Sequence, residues 1–104
     1  MLAVTSRLRV KKGREAEFER AALTLAENAL ANEEGCHGFR LTRSMHDPQL
    51  YELLERYSDD DALASHSNSE HLRDAMPGLM DCLEGVPVVA LFEEIGPQAG
   101  ERRS

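Results

Sequence analysis

Leu2, Val4, Leu8 and Val10 alternate with Ala3, Thr5, Arg7 and Arg9, a period of two that predicts a strand at the start of the chain. Lys11-Lys12-Gly13 breaks it. From Arg14 to about Glu33 the spacing becomes helical: Phe18, Ala22, Leu25 and Ala29 fall on one stripe, while Glu17, Arg20, Thr24, Glu27 and Asn28 point elsewhere. Gly35 is expected to close this helix. Residues 37 to 43, HGFRLTR, alternate again; HDPQ at 46 to 49 reads as a turn around Pro48, and Tyr51 to Tyr57 as a third strand. Ser58 or Asp59 supplies a cap, with Asp60 and Asp61 in the first turn of the helix that follows. Asn68-Ser69 and Pro77-Gly78 both interrupt the pattern, so residues 60 to 84 are expected as two or three helical pieces, the later ones burying Leu72, Met76, Leu79 and Leu83. Gly85 ends that region. VPVVALFEEI, 86 to 95, is a last strand, and PQAGERRS, 97 to 104, a polar tail expected to be mobile.

Strand, helix, strand, strand, helix, strand is the βαββαβ order of a ferredoxin-like α+β fold: a four-stranded antiparallel sheet with the helices on one face. One domain, 1 to 96, is expected, followed by the tail. In the third strand Tyr51, Leu53 and Tyr57 point one way and Leu54 the other; in the fourth, Val88, Ala90 and Phe92 oppose Val89, Leu91 and Ile95. Two helices cover one face, and an exposed apolar face of several hundred Å² is rare on a soluble monomer. A homodimer burying ~800 Å² per partner is the expected cover. It would enclose a space suited to a small apolar or aromatic ligand.

With 104 residues, 41% hydrophobic and 30% charged, the composition is that of one globular domain. A net charge of −7 disfavours nucleic acid and anionic membranes as partners. No segment approaches the roughly 20 apolar residues of a membrane span, and MLAVTSRLRVKKG lacks the apolar run of a signal peptide, so a cytoplasmic location is expected. On that reading Cys36 and Cys82 are free thiols. His37, His46, His66, His71 and the two cysteines contain no helical i, i+4 pair and no Cys-x-x-Cys, so no metal site is expected. No glycine-rich phosphate loop supports a nucleotide or flavin cofactor either.

The segments RLRVKKGREAEFE, EEGCHGFRL, LYELLERYSDDDALASHSNSEHL and VALFEEI resemble the antibiotic biosynthesis monooxygenase family in order and spacing over roughly residues 1 to 95. The third is the most specific: a strand ending Glu-Arg-aromatic, then an acid, then a helix with His66 and the step Ser69 to His71. The resemblance implies a dimeric α+β barrel with a pocket between the sheet and helices of each protomer. The family includes cofactor-independent oxygenases of phenolic or quinol compounds, haem-degrading enzymes, and an isomerase of a phosphorylated signal. Fold alone does not choose among them.

Oxygenation without a cofactor requires a substrate that becomes electron-rich on losing a proton, hence a base and a dry pocket. His66 is the leading base, an imidazole being poised for proton transfer near neutral pH; the bland alternative is a surface or capping histidine. Glu55 either faces the enclosed space or pairs with Arg40 or Arg7, the pair being favoured because a buried carboxylate needs a partner. Tyr57 could donate to a substrate oxygen or simply pack. Ser6, inward with Val4 and Leu8, adds a hydroxyl. Arg40, His71 and Phe92 complete the candidate substrate contacts. Where many relatives carry tryptophan this chain has Tyr57, and it has no tryptophan at all, which counts against the haem-degrading reading. Three readings stay open: a cofactor-independent monooxygenase, an isomerase of a small phosphorylated dicarbonyl held by Arg7, Arg9 and Arg40, and a non-catalytic ligand-binding dimer.

Overall fold

The computed structural model describes residues 1–97; all of the polar tail beyond Pro97 lies outside the described residues. The order is β1 (Leu2–Arg9), α1 (Glu15–Asn32), β2 (Cys36–Arg43), β3 (Leu50–Tyr57), α2 (Asp60–Ser67), α3 (Glu70–Asp81) and β4 (Val88–Glu93). The strands form one antiparallel sheet in the order β2-β3-β1-β4, so the fold is the ferredoxin-like α+β arrangement.

The period-two pattern of β1 and β3 sets the layers. Val4 lies opposite Glu55, Ser6 opposite Leu53, and Leu8 opposite Tyr51, so these residues share the helix-covered face. Against them α1 buries Phe18, Ala22, Leu25, Ala26 and Ala29, the stripe expected of an amphipathic helix. From α3 and its end, Leu79, Cys82 and Leu83 complete the core. Val10 bridges to Leu83, and Lys11 N–H donates to the Cys82 carbonyl, tying the end of α3 to the end of β1.

Two punctuation marks act differently from expectation. Gly35 is not a left-handed helix terminator; α1 ends at Glu33 in extended backbone, and the glycines with positive φ are Gly13, Gly85 and Gly96. What Gly35 supplies is room, because a Cβ there would collide with the Ala62 methyl on α2. Pro77-Gly78 does not interrupt the second helical region, for α3 runs through both. The carbonyl that Pro77 leaves without an intrahelical donor belongs to Arg73, which is exposed, so water can satisfy it. The break at Asn68-Ser69 is real: Ser69 Oγ caps α3 by accepting from Leu72 N–H, and Asp59 caps α2 by accepting from Ala62 N–H. Met76, expected inside, is exposed.

The helices do not cover the whole inner face. Val89 and Leu91 of β4 share that face with Ser6 and Val4, yet are 55% and 59% exposed. Val88 and Phe92 stand half or more exposed on the opposite face. That opposite face is mixed rather than apolar: beside Ala3 and Leu54 it carries Thr5, Arg7, Arg40, Glu52 and Arg56. Cys36 and Cys82 are buried, unpaired thiols.

Candidate functional site

Alternation along β3 sends Tyr51, Leu53, Glu55 and Tyr57 inward, all buried. Glu55 is a carboxylate in an otherwise apolar row, and its partner is not an arginine. Arg40 lies opposite Leu54 and Arg7 opposite Glu52, so both guanidinium groups leave from the other face of the sheet; Arg7 pairs with Glu52 instead. Glu55 is held by Tyr57, whose hydroxyl donates to Oε1 at 2.5 Å. Burial pushes the Glu55 carboxyl above its usual range against the lowering effects of Tyr57 and His66. Burial, and then the neighbouring Glu55 charge, pushes the Tyr57 phenol far above its usual range. Tyr57 is therefore a donor and not a base.

His66 occupies the last turn of α2 and is buried, 5.3 Å from the Tyr57 ring and 5.6 Å from the Phe39 ring between centroids. Its Nδ1 lies 2.8 Å and 3.0 Å from the two carboxylate oxygens of Glu33. An ionised carboxylate only accepts, so Nδ1 carries the proton and, in the neutral ring, Nε2 keeps its lone pair. That Nε2 is 3.9 Å from Glu55 Oε1, beyond hydrogen-bond reach. His71 Nε2 also contacts Glu33 Oε2.

Below the sheet Glu55 and His66 border a cavity of about 260 Å³. Its walls are mainly Val4, Leu8, Phe18, Phe39, Leu53 and Leu79, and its polar side chains are Ser6, Glu55, His66 and Ser67. Of the seven residues singled out in the sequence, Ser6, Glu55 and His66 therefore line the same cavity. Tyr57 is fully buried behind Glu55 and does not line the cavity. His71 lines a separate open groove between α1 and α3. Arg40 and Phe92 sit on the far face of the sheet, away from the cavity.

Glu33 was not anticipated. It stands at the C-terminal end of α1, where the helix dipole disfavours an anion, and no basic residue occupies the last turn to offset it. A carboxylate placed against a local rule is the signal that sequence could have offered. The expectation of no convergent metal ligands also changes. Oxygen of Glu33, Nδ1 or Nε2 of His66 and of His71 all lie within 4.8 Å of one another. The two histidines are five apart, but the break between α2 and α3 restarts the helix and brings them to the same carboxylate.

The sequence profile described as antibiotic biosynthesis monooxygenase matches residues 1–78. Among solved structures, a candidate antibiotic biosynthesis monooxygenase from Caulobacter crescentus CB15 is 33% identical, with 91% of this chain and 90% of that one covered and a TM-score of 0.88. A conserved protein from Methanosarcina mazei Go1 is 26% identical over 89% of this chain and 91% of its own, with a TM-score of 0.85. A third, a candidate antibiotic biosynthesis monooxygenase from Nitrosomonas europaea, shares the fold at 20% identity, covering 92% of this chain and all 100% of its own, with a TM-score of 0.87. Comparison with curated proteins finds no match.

Proposed function

The chain belongs to the antibiotic biosynthesis monooxygenase family, and from that premise we propose that it oxidises a phenolic or quinol-like aromatic with O₂, without a cofactor, in the cavity beneath its sheet. The observation that carries this reading is His66 in the wall of an apolar cavity with its Nδ1 against the Glu33 carboxylate, which leaves Nε2 as the ring nitrogen to accept a proton. Nε2 removes the proton of a phenol or activated CH₂, and the resulting anion gives an electron to O₂. After bond formation between carbon and oxygen, one oxygen atom stays as a carbonyl and the other leaves as water, which balances the oxidation of CH₂ to C=O. The imidazolium formed lies against the Glu33 carboxylate, which stabilises its charge. Apolar walls keep the anion from being reprotonated by bulk water.

The uncovered β4 supports a homodimer. Val89 lines the cavity beside Pro87 and Leu91 lies exposed on the same face of β4, and a second copy over them would close the pocket to solvent. The phosphate-handling alternative loses its support, because Arg7, Arg9 and Arg40 leave from the face opposite the cavity and Arg9 is paired with Asp47.

The test is oxygen uptake by protein stripped of metal and flavin, with a panel of anthrones and hydroquinones. Substrate-dependent uptake with the carbonyl product is expected. No uptake across the panel overturns the substrate class.

A further inference from the structure

We propose that Glu33, His66 and His71 form a binding site for a divalent first-row transition ion, with Nδ1 of His66, Nε2 of His71 and the Glu33 carboxylate as its three protein ligands. Two imidazoles and one carboxylate are a donor set that such ions, zinc among them, accept. A tetrahedral ion with bonds of ~2.0–2.2 Å holds its ligand atoms roughly 3.3 Å apart. His66 Nδ1 and Glu33 Oε2 are 2.8 Å apart, His71 Nε2 and Glu33 Oε2 stand closer still, and the whole set lies within 4.8 Å, so an ion entering would spread the three groups. Small side-chain rotations suffice.

Three further features of the site fit an ion. The first is charge: the side chains of Glu33 and Glu55 are each 8% exposed, and among the described residues no Lys or Arg forms an ion pair with either. Two buried carboxylates with only histidines beside them favour a cation in the cluster. The second is the outer partner of a ligand. With an ion on Nδ1, the His66 proton resides on Nε2, 3.9 Å from Glu55 Oε1, so that a shift of about 1 Å brings the two into hydrogen-bond range. A carboxylate behind a ligating histidine sets its tautomer and orientation. The third is access: His71, with its side chain 20% exposed, lines the open groove between α1 and α3, giving an ion a route in that does not cross the cavity.

Binding at this site would also regulate the proposed oxidation, and that consequence alone rests on the reading above. An ion on Nδ1 moves the proton to Nε2 and removes the lone pair that faces the substrate. The metal-free protein is then the active form.

The experiment uses untagged, full-length protein dialysed against a chelator and titrated with zinc chloride by calorimetry, with the cobalt(II) absorption spectrum as a second readout. One zinc per chain is expected, with a dissociation constant on the order of 1 µM or tighter. Glu33→Gln and His71→Ala should each weaken binding by at least ~10-fold, while His46→Ala, exposed in a distant turn, leaves it unchanged. The cobalt spectrum should show no thiolate charge-transfer band. His71 sits at the rim, so its variant tests the site even if Glu33→Gln does not fold. Failure to bind zinc in this range, or an affinity untouched by His71→Ala, overturns the site. Both readouts report binding and not turnover, so they stand or fall separately from the oxidation.

Discussion

Tyr57 shows how one hydrogen bond holds another residue's carboxyl at a buried position. It reaches no cavity, yet it is the donor that keeps Glu55 satisfied at a buried position. Tyr57→Phe keeps the ring and removes that donor, so a loss of about 1–3 kcal/mol is expected in denaturant unfolding; unchanged stability would mean that Glu55 finds another partner. Much of this residue-scale picture was readable. The alternation of β3 placed Glu55 among apolar neighbours, and His66 stood out as the helix histidine behind the strand. The partner of Glu55 was not readable, because it depends on register: Val4 and Phe39 lie opposite Glu55, whereas Arg7 and Arg40 face Glu52 and Leu54. Glu33 was missed for a related reason, since nothing local to residue 33 says that His66 and His71 come to it.

At the scale of elements, the junction of α1, β2 and α2 sets the site. Gly35 lets α2 approach the turn after α1 closely enough for His66 to meet Glu33. Gly35→Ala is expected to cost about 1–3 kcal/mol through overpacking against Ala62, read as a lowered unfolding midpoint. It should also move His66 away from Glu33, visible as a change in the His66 ring signals in NMR spectra. A midpoint equal to that of the parent would show that the contact is slack. The sequence announced every strand and the α2–α3 break, because alternation and capping by Asp59 and Ser69 are local physics. It misassigned Gly35, whose constraint comes from a helix 27 residues later (Ala62), and Pro77, whose lost hydrogen bond water can replace at an exposed turn.

At the scale of the whole molecule, the helices leave β4 bare on its inner face, and the outer face mixes charge with apolar residues. The uncovered surface is thus concentrated on one edge strand instead of spread over the sheet, a distinction that alternation alone could not make. Sedimentation at micromolar concentration is expected to give a dimer, and Leu91→Asp to shift it toward the monomer; a monomeric parent protein would remove the closed pocket. The family relationship supplies the fold and a monooxygenase setting, while the proposal of His66 as the proton acceptor rests on its place in the cavity wall. The most direct measurement is the rate of oxygen consumption by metal-free and flavin-free protein on an anthrone substrate, parent against His66→Ala. A fall of about 10²–10⁴-fold, the range for loss of a positioned base, is expected; equal rates would contradict the assignment.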